Sequence, residues 1–255
     1  MNAAFPIITY HSLDDSGSVI SITPVMFREQ MKILHRSGIR TATLSEVADW
    51  LRAGEPPPPK TVALTFDDAY ENVFTEGFPV LREFGFTATV FIIPEFCGRT
   101  NLWPGHQPPS PALHGAPLAS WRQLSEMREA GIECGAHTLT HPDLRQLDDT
   151  AAHREIDESA AVIARELGER PRAFAYPYGL FSPRDREIVS QSYDLACTTR
   201  LGKVGSGCDP SALPRLDAFF LKNPRTFEAA VSGSRLDLYF RFRDAARQLR
   251  SRFEI

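Results

Sequence analysis

The chain has no excess of positive charge: 28 lysines and arginines stand against 32 aspartates and glutamates, for a formal net charge of -4. Long-range attraction to nucleic acid or to an anionic membrane surface is therefore excluded as its organising interaction. Nor does the chain contain a run approaching the roughly 20 apolar residues that span a bilayer. Its first residues, MNAAFPIITYH, carry no basic stretch followed by a long apolar core, and the expectation is a cytoplasmic protein. The four cysteines, Cys97, Cys134, Cys197 and Cys208, include no CxxC pair. That spacing argues against a zinc knuckle or a disulfide scaffold and for reduced packing residues. What is present, 255 residues with 42% hydrophobic content, suffices for a sizeable core.

Segments rich in β-branched and aromatic residues recur at 5–11, 39–43, 61–66, 87–94, 132–137, 173–176 and 195–199, and each reads as a buried strand. Helix starts fall between them: Thr23-Pro24, Ser120 with Gln123, and Ser182-Pro183 with Asp185. Gly38 and Gly131 stand where helices should end, each just before a strand. Alternating strand and helix implies parallel pairing, and so many repeats favour a barrel-like or doubly wound α/β domain over a sandwich; the barrel is the expectation. One domain over residues 1–255 is expected. The proline run 56–59 reads as a stiff surface loop, because strands of one type lie on both sides of it. Residues 95–118 read as a long loop over one end of the domain, where Trp103 either stacks on a ligand ring or packs. Residues 227–253 alternate basic and apolar residues at helical spacing, which suits a surface helix, with membrane contact as the alternative.

Three strand ends carry polar residues that need a reason. The apolar run 61–66 stops at Asp67-Asp68. In a parallel α/β domain ligands bind at that edge, where consecutive side chains can diverge towards a metal and a substrate; a turn or helix cap is the plain alternative. The run 132–136 stops at His137-Thr138-Leu139-Thr140-His141, whose two imidazoles, four residues apart on one helical turn, could grip one cation. A carboxylate and two imidazoles would leave open positions for water and substrate, as a catalytic metal site does. The third strand ends in Tyr176-Pro177-Tyr178-Gly179, either an ordinary turn or one that offers a backbone N–H to an oxyanion.

In that order and setting, Thr65-Phe66-Asp67-Asp68, His137-Thr138-Leu139-Thr140-His141 and Tyr176-Pro177-Tyr178-Gly179 resemble the three motifs of the polysaccharide deacetylases, family 4 of the carbohydrate esterases. The resemblance covers about residues 5–216. It implies a single distorted (β/α) barrel of seven or so strands and hydrolysis of N-acetyl groups on a glycan or its precursor. It also implies a divalent metal held by Asp68, His137 and His141, with zinc foremost and cobalt or nickel compatible with the same donors. Asp67 would be the general base, and the Tyr178 backbone N–H would help to hold the oxyanion.

Two features depart from the common family pattern. Ala175 stands where many members have an arginine, and the late Leu-x-x-His motif that usually supplies the general acid is missing. His11, at the end of the first strand, and Arg215, in Leu213-Pro214-Arg215-Leu216 beyond the last expected strand, could supply the acid and a brace for Asp67. Both resemble features of the branch acting on exopolysaccharide poly-N-acetylglucosamine. The plain alternatives are a packing histidine and a surface arginine, and Arg172 is a further candidate for the brace. Two other functions stay open at this stage. One is metal-dependent hydrolysis of a different C–N bond, in a formyl group or a cyclic amide or imide; the other is a glycan-binding relative without turnover.

Overall fold

In the computed structural model, which describes residues 4–105, 110–205 and 207–232, strands and helices alternate along the chain. The strands are β1 (Ile7–Tyr10), β2 (Ser12–Leu13), β3 (Ser21–Ile22), β4 (Arg40–Ala42), β5 (Thr61–Phe66), β6 (Thr89–Ile92), β7 (Glu133–Ala136), β8 (Ala173–Ala175), β9 (Leu195–Leu201) and β10 (Leu213–Asp217). The helices are α1 (Pro24–Arg36), α2 (Leu44–Ala53), α3 (Phe78–Phe84), α4 (Trp121–Glu129), α5 (Asp149–His153), α6 (Ser159–Leu167), α7 (Pro183–Ser192) and α8 (Pro224–Val231). Of the helix expected over 227–253, residues 233–255 lie outside the described residues. Among the described residues, no helix is long and apolar enough to cross a membrane.

Local chemistry explains the boundaries. Thr23 accepts the Met26 N–H at 3.1 Å and Pro24 sets the first helical φ of α1. Reciprocal capping boxes open α4 (Ser120 with Gln123) and α7 (Ser182 with Asp185), and a further one, Thr43 with Glu46, opens α2. Gly38 and Gly131, at φ 63° and 89°, take the left-handed conformation that ends a helix before a strand.

The strands are all parallel in the order β1-β10-β9-β8-β7-β6-β5, and β5 returns to β1 in the register Ile7↔Ala63 to Tyr10↔Phe66. Seven strands thus close a barrel. Two details differ from the sequence expectation. The strand read at 39–43 is not in the ring: β4 pairs with the first half of β5, whose second half pairs with β6. The ring closes through β10, a strand beyond the last one that the sequence pattern predicts. There Pro214 removes one ladder donor, and the pairing to β9 shifts register between Leu213 and Arg215.

Alternation along the strands sorts the core into two layers. Ile7, Ala63, Ala175, Cys197 and Leu213 cluster with Leu44 and Val47 of α2, so a mixture of small and branched inward side chains and one helix plug the bottom of the barrel. Their neighbours Ile8, Leu64, Val90, Phe174 and Leu216 cluster with the surrounding helices. At the described ends of the loop at 95–118, the antiparallel bridge Tyr70↔Leu118 ties it to the segment after β5, and Thr100↔Pro117 ties its two arms together.

Candidate active site

Parallel closure points every strand's C-terminal end to one mouth. Asp67 and Asp68 follow β5, His137 follows β7, His11 follows β1, and Tyr176 to Gly179 follow β8. Asp67 continues the inward phase of Ala63 and Thr65, whereas Asp68, at φ 68°, turns the chain and points its carboxylate elsewhere. The two adjacent aspartates therefore have separate partners.

Asp67 is paired with Arg215. The guanidinium donates from Nη1 to Asp67 Oδ1 at 2.7 Å and from Nη2 to Oδ2 at 2.6 Å, with both residues almost fully buried. Arg215 is itself aimed by Nε to the Thr198 carbonyl at 3.0 Å and Nη1 to Thr65 Oγ1 at 3.2 Å, and it lies 5.7 Å from the Phe91 ring centre. Phe91 fits there because residue 135 is glycine, whose Cβ would stand 2.6 Å from the ring. Burial by itself would push the Asp67 carboxyl up; the Arg215 charge and hydrogen bonds outweigh it and hold the group below the usual carboxylate range. His11 Nε2 lies 3.8 Å from Asp67 Oδ2. Arg172 plays no part at this end: it pairs with Asp49 and Asp194, at the opposite end of β8.

The second group is Asp68, His137 and His141, all buried. The two Nε2 atoms stand 3.2 Å apart, and Asp68 Oδ1 lies 3.4 Å and 3.5 Å from them. Ligands on a tetrahedral ion with bonds of about 2.0–2.1 Å stand about 3.3–3.4 Å apart, so this donor triangle has the size of one face of such a site. His137 Nδ1 meets the Ala175 carbonyl at 2.7 Å, which fixes the tautomer with its proton on Nδ1 and leaves Nε2 as a lone-pair donor. Burial would raise the Asp68 carboxyl, but in the metal-free site a protonated His137, donating to it from Nε2, and the charge of the neighbouring imidazoles hold it far below its ordinary value. The residues present fit a divalent cation.

The way the histidines meet corrects the sequence expectation. Residues 137–141 form no helical turn; Thr138 and His141 sit at φ 62° and 63°, and the loop folds back on itself. The His141 N–H donates to Thr138 Oγ1 at 2.9 Å, so a threonine hydroxyl stands in for a helical carbonyl. In the third motif Tyr178 is also left-handed, at φ 59°, and is 43% exposed at the rim with its ring 4.7 Å from that of His141. Trp103 is only 2% exposed and packs its ring 4.6 Å from that of His141, which favours packing over a free stacking platform.

Two residues of the site had no sequence reading. Asn72 accepts the Leu13 N–H at 2.9 Å and donates to Ser12 Oγ at 2.7 Å, tying the segment after His11 to the segment after Asp68. Glu155 receives the Leu139 and Thr140 N–H groups at 2.9 Å and 2.8 Å. Neither has a local signal, because each acts on a residue far along the chain.

The sequence profile of the polysaccharide deacetylase family matches residues 54–193, more than half of the chain. The chain belongs to the polysaccharide deacetylase family. Among curated relatives, the poly-beta-1,6-N-acetyl-D-glucosamine N-deacetylase of Staphylococcus epidermidis is 29% identical over 213 residues, covering 78% of this chain and 70% of that protein. Among solved structures of the family, IcaB from Ammonifex degensii superposes with a TM-score of 0.74 at 26% identity, covering 90% of this chain and 97% of that one. Streptococcus pyogenes deacetylase PplD, solved with acetate, matches in fold with a TM-score of 0.73 at 24% identity over 85% of this chain and 93% of that one.

Proposed function

We propose that the protein is a metal-dependent hydrolase that removes N-acetyl groups from an N-acetylated amino-sugar polysaccharide or its precursor. The observation that carries this reading is the division of labour between adjacent aspartates: Asp68 stands with two imidazoles, while Asp67 stands apart, gripped by Arg215. A purely structural metal site has no use for a second, arginine-held carboxylate beside it.

Asp68, His137 and His141 would hold the divalent cation, with zinc the best match to one carboxylate and two imidazoles. When bound, such an ion supplies Lewis-acid chemistry, acidifying a water and polarising the amide carbonyl. Asp67, kept as a carboxylate by Arg215, accepts the proton of the attacking water. The Tyr178 backbone N–H, presented by a turn that Gly179 makes possible, donates to the developing oxyanion. His11, beside Asp67 and partly open to the mouth, donates a proton to the amine as the C–N bond breaks, leaving acetate and a free amino sugar. In this reading His11 fills the place of the missing late histidine, and Arg215 that of the arginine absent at Ala175. The similarity to poly-N-acetylglucosamine deacetylases supports a β-linked N-acetylglucosamine polymer as the substrate class.

The test is acetate release from N-acetylglucosamine oligomers by zinc-loaded protein, beside Asp67→Asn and a chelator-treated control. Release that disappears in both controls is the expected result. Zinc bound through Asp68, His137 and His141 without acetate release would turn the reading to another acyl group or to glycan binding alone.

A further inference from the structure

The loop that carries both imidazoles is not self-supporting. It leaves β7 at His137 and contains two non-glycine residues, Thr138 and His141, in the left-handed region. Side chains with a Cβ adopt that conformation only when their surroundings impose it. Inside the loop two hydrogen bonds help, both through one hydroxyl: Thr138 Oγ1 accepts the His141 N–H and donates to the His137 carbonyl. The middle of the loop, Leu139 and Thr140, is held from outside, and a single carboxylate receives most of those bonds. Glu155 Oε2 accepts the Leu139 N–H at 2.9 Å and the Thr140 N–H at 2.8 Å, and Oε1 accepts the Thr140 hydroxyl at 2.7 Å.

The position of Glu155 is itself fixed. Between α5 and α6 the helix widens into a π-helical turn, Arg154–Glu158, and Glu155 projects from it. Such insertions turn side chains away from the regular helical phase and recur at functional sites. The widened turn is pinned from below. The buried Tyr193 hydroxyl and Ser159 Oγ each donate to the Ile156 carbonyl at 2.8 Å, and they stand 3.0 Å from one another. A rigid chain of contacts therefore runs from the start of β9 through Ile156 to Glu155 and on to the peptide groups between the two histidines.

We propose that Glu155 is a positioning residue for the metal site: it presets the 137–141 loop so that both Nε2 atoms face Asp68 before any cation arrives. The inference rests on the reading that Asp68, His137 and His141 bind a divalent ion. A supporting group of this kind contributes about 10–100-fold to metal affinity. Its contribution is made through preorganisation, since Glu155 is not among the three prospective ligands.

The experiment is Zn2+ affinity of the full chain by competition with a chromophoric chelator, together with amide hydrogen exchange at Leu139 and Thr140 in the metal-free protein. Glu155→Ala is expected to weaken zinc about 10–100-fold and to speed exchange at both amides. Glu155→Gln should recover most of the affinity, because its amide oxygen can accept both N–H groups and its NH2 can donate to the Thr140 hydroxyl. Glu158→Ala, which removes only an exposed ion pair with Arg154, should leave affinity unchanged. Where Glu155→Ala fails to fold, Thr140→Val removes one of the three bonds and should weaken zinc by a smaller factor. A folded Glu155→Ala that binds zinc as tightly as the unsubstituted protein overturns the proposal and leaves the metal site standing. Unsubstituted protein that binds no zinc overturns both.

Discussion

Arg215 is a charged side chain only 1% exposed, a position that arginine occupies only when fully partnered. Its partner Asp67 is equally hidden, so each residue makes the other tolerable. Breaking such a pair leaves one uncompensated charge and costs about 3–5 kcal/mol, whereas removing both charges costs far less. Arg215→Met should therefore lower the melting temperature by roughly 6–20 °C, at about 2–4 °C per kcal/mol for a chain of this size. Adding Asp67→Asn should restore much of that loss while leaving deacetylation undetectable. Paired thermal melts and acetate assays on the single and double variants check this. If the double variant stays as unstable as Arg215→Met, the pair is not what holds Arg215 in the core. Arg215 was a candidate in the sequence only through resemblance, because nothing local distinguishes a buried arginine from an exposed one. The Asp67-Asp68 pair was legible, since core packing gives no reason to end an apolar run in two adjacent carboxylates.

At the scale of elements, the mouth is shaped by three irregular segments that carry strand ends into function. The segment after β1 folds around Asp14, whose carboxylate accepts Ser16 N–H at 2.7 Å and Ser21 Oγ at 3.0 Å and also receives Ser12 Oγ. Burial raises this carboxyl, but the serine hydrogen bonds outweigh it, and the group lies below its ordinary value of 3.8. A depressed carboxyl adds stability that is complete well above that ordinary value and is lost as pH falls through the lower folded one. Asp14→Asn should thus melt earlier than the unsubstituted protein at pH 7, with the gap closing as pH drops below 3.8; melts across that range test it. A gap that widens in acid would contradict the assignment. The turn after β8 depends on Gly179, at φ 70°, where an added Cβ would stand 2.1 Å from Thr199 Oγ1. Gly179→Ala should destabilise the protein by about 1–3 kcal/mol and, by displacing Tyr178, lower kcat more than it changes KM. Steady-state kinetics on the folded variant separate those effects. The helix caps and the three strand ends could be read from sequence because each is a short-range pattern. The conformation of the histidine loop could not: the spacing brought His137 and His141 together correctly, but a hydroxyl and the distant Glu155 hold them, in place of a helical turn.

For the whole molecule, closure decides how the proposed metal site behaves when no ion is bound. The α/β alternation made a barrel legible, yet the ring is completed by β10, whose proline and buried arginine disguise a strand, while β4 stays outside the ring. Because β5 pairs with both β1 and β6, and β7 with both β6 and β8, the ends that carry Asp68 and His137 are fixed by the ladder. The metal-free protein should therefore remain folded, in contrast to small domains that a structural zinc alone organises. Binding to the folded state alone adds stability in proportion to ligand excess, about 4 kcal/mol at a thousandfold excess over Kd. For a chain of this length that corresponds to a rise in melting temperature of roughly 8–16 °C. Melts of chelator-treated protein with and without excess zinc provide the measurement, with Asp68→Ala as the control that should lose the shift. A cooperative melt for the metal-free protein that zinc raises only when Asp68 is present is the outcome this architecture requires. Loss of cooperative melting on metal removal would mean that the ion, and not the ladder, holds the mouth together.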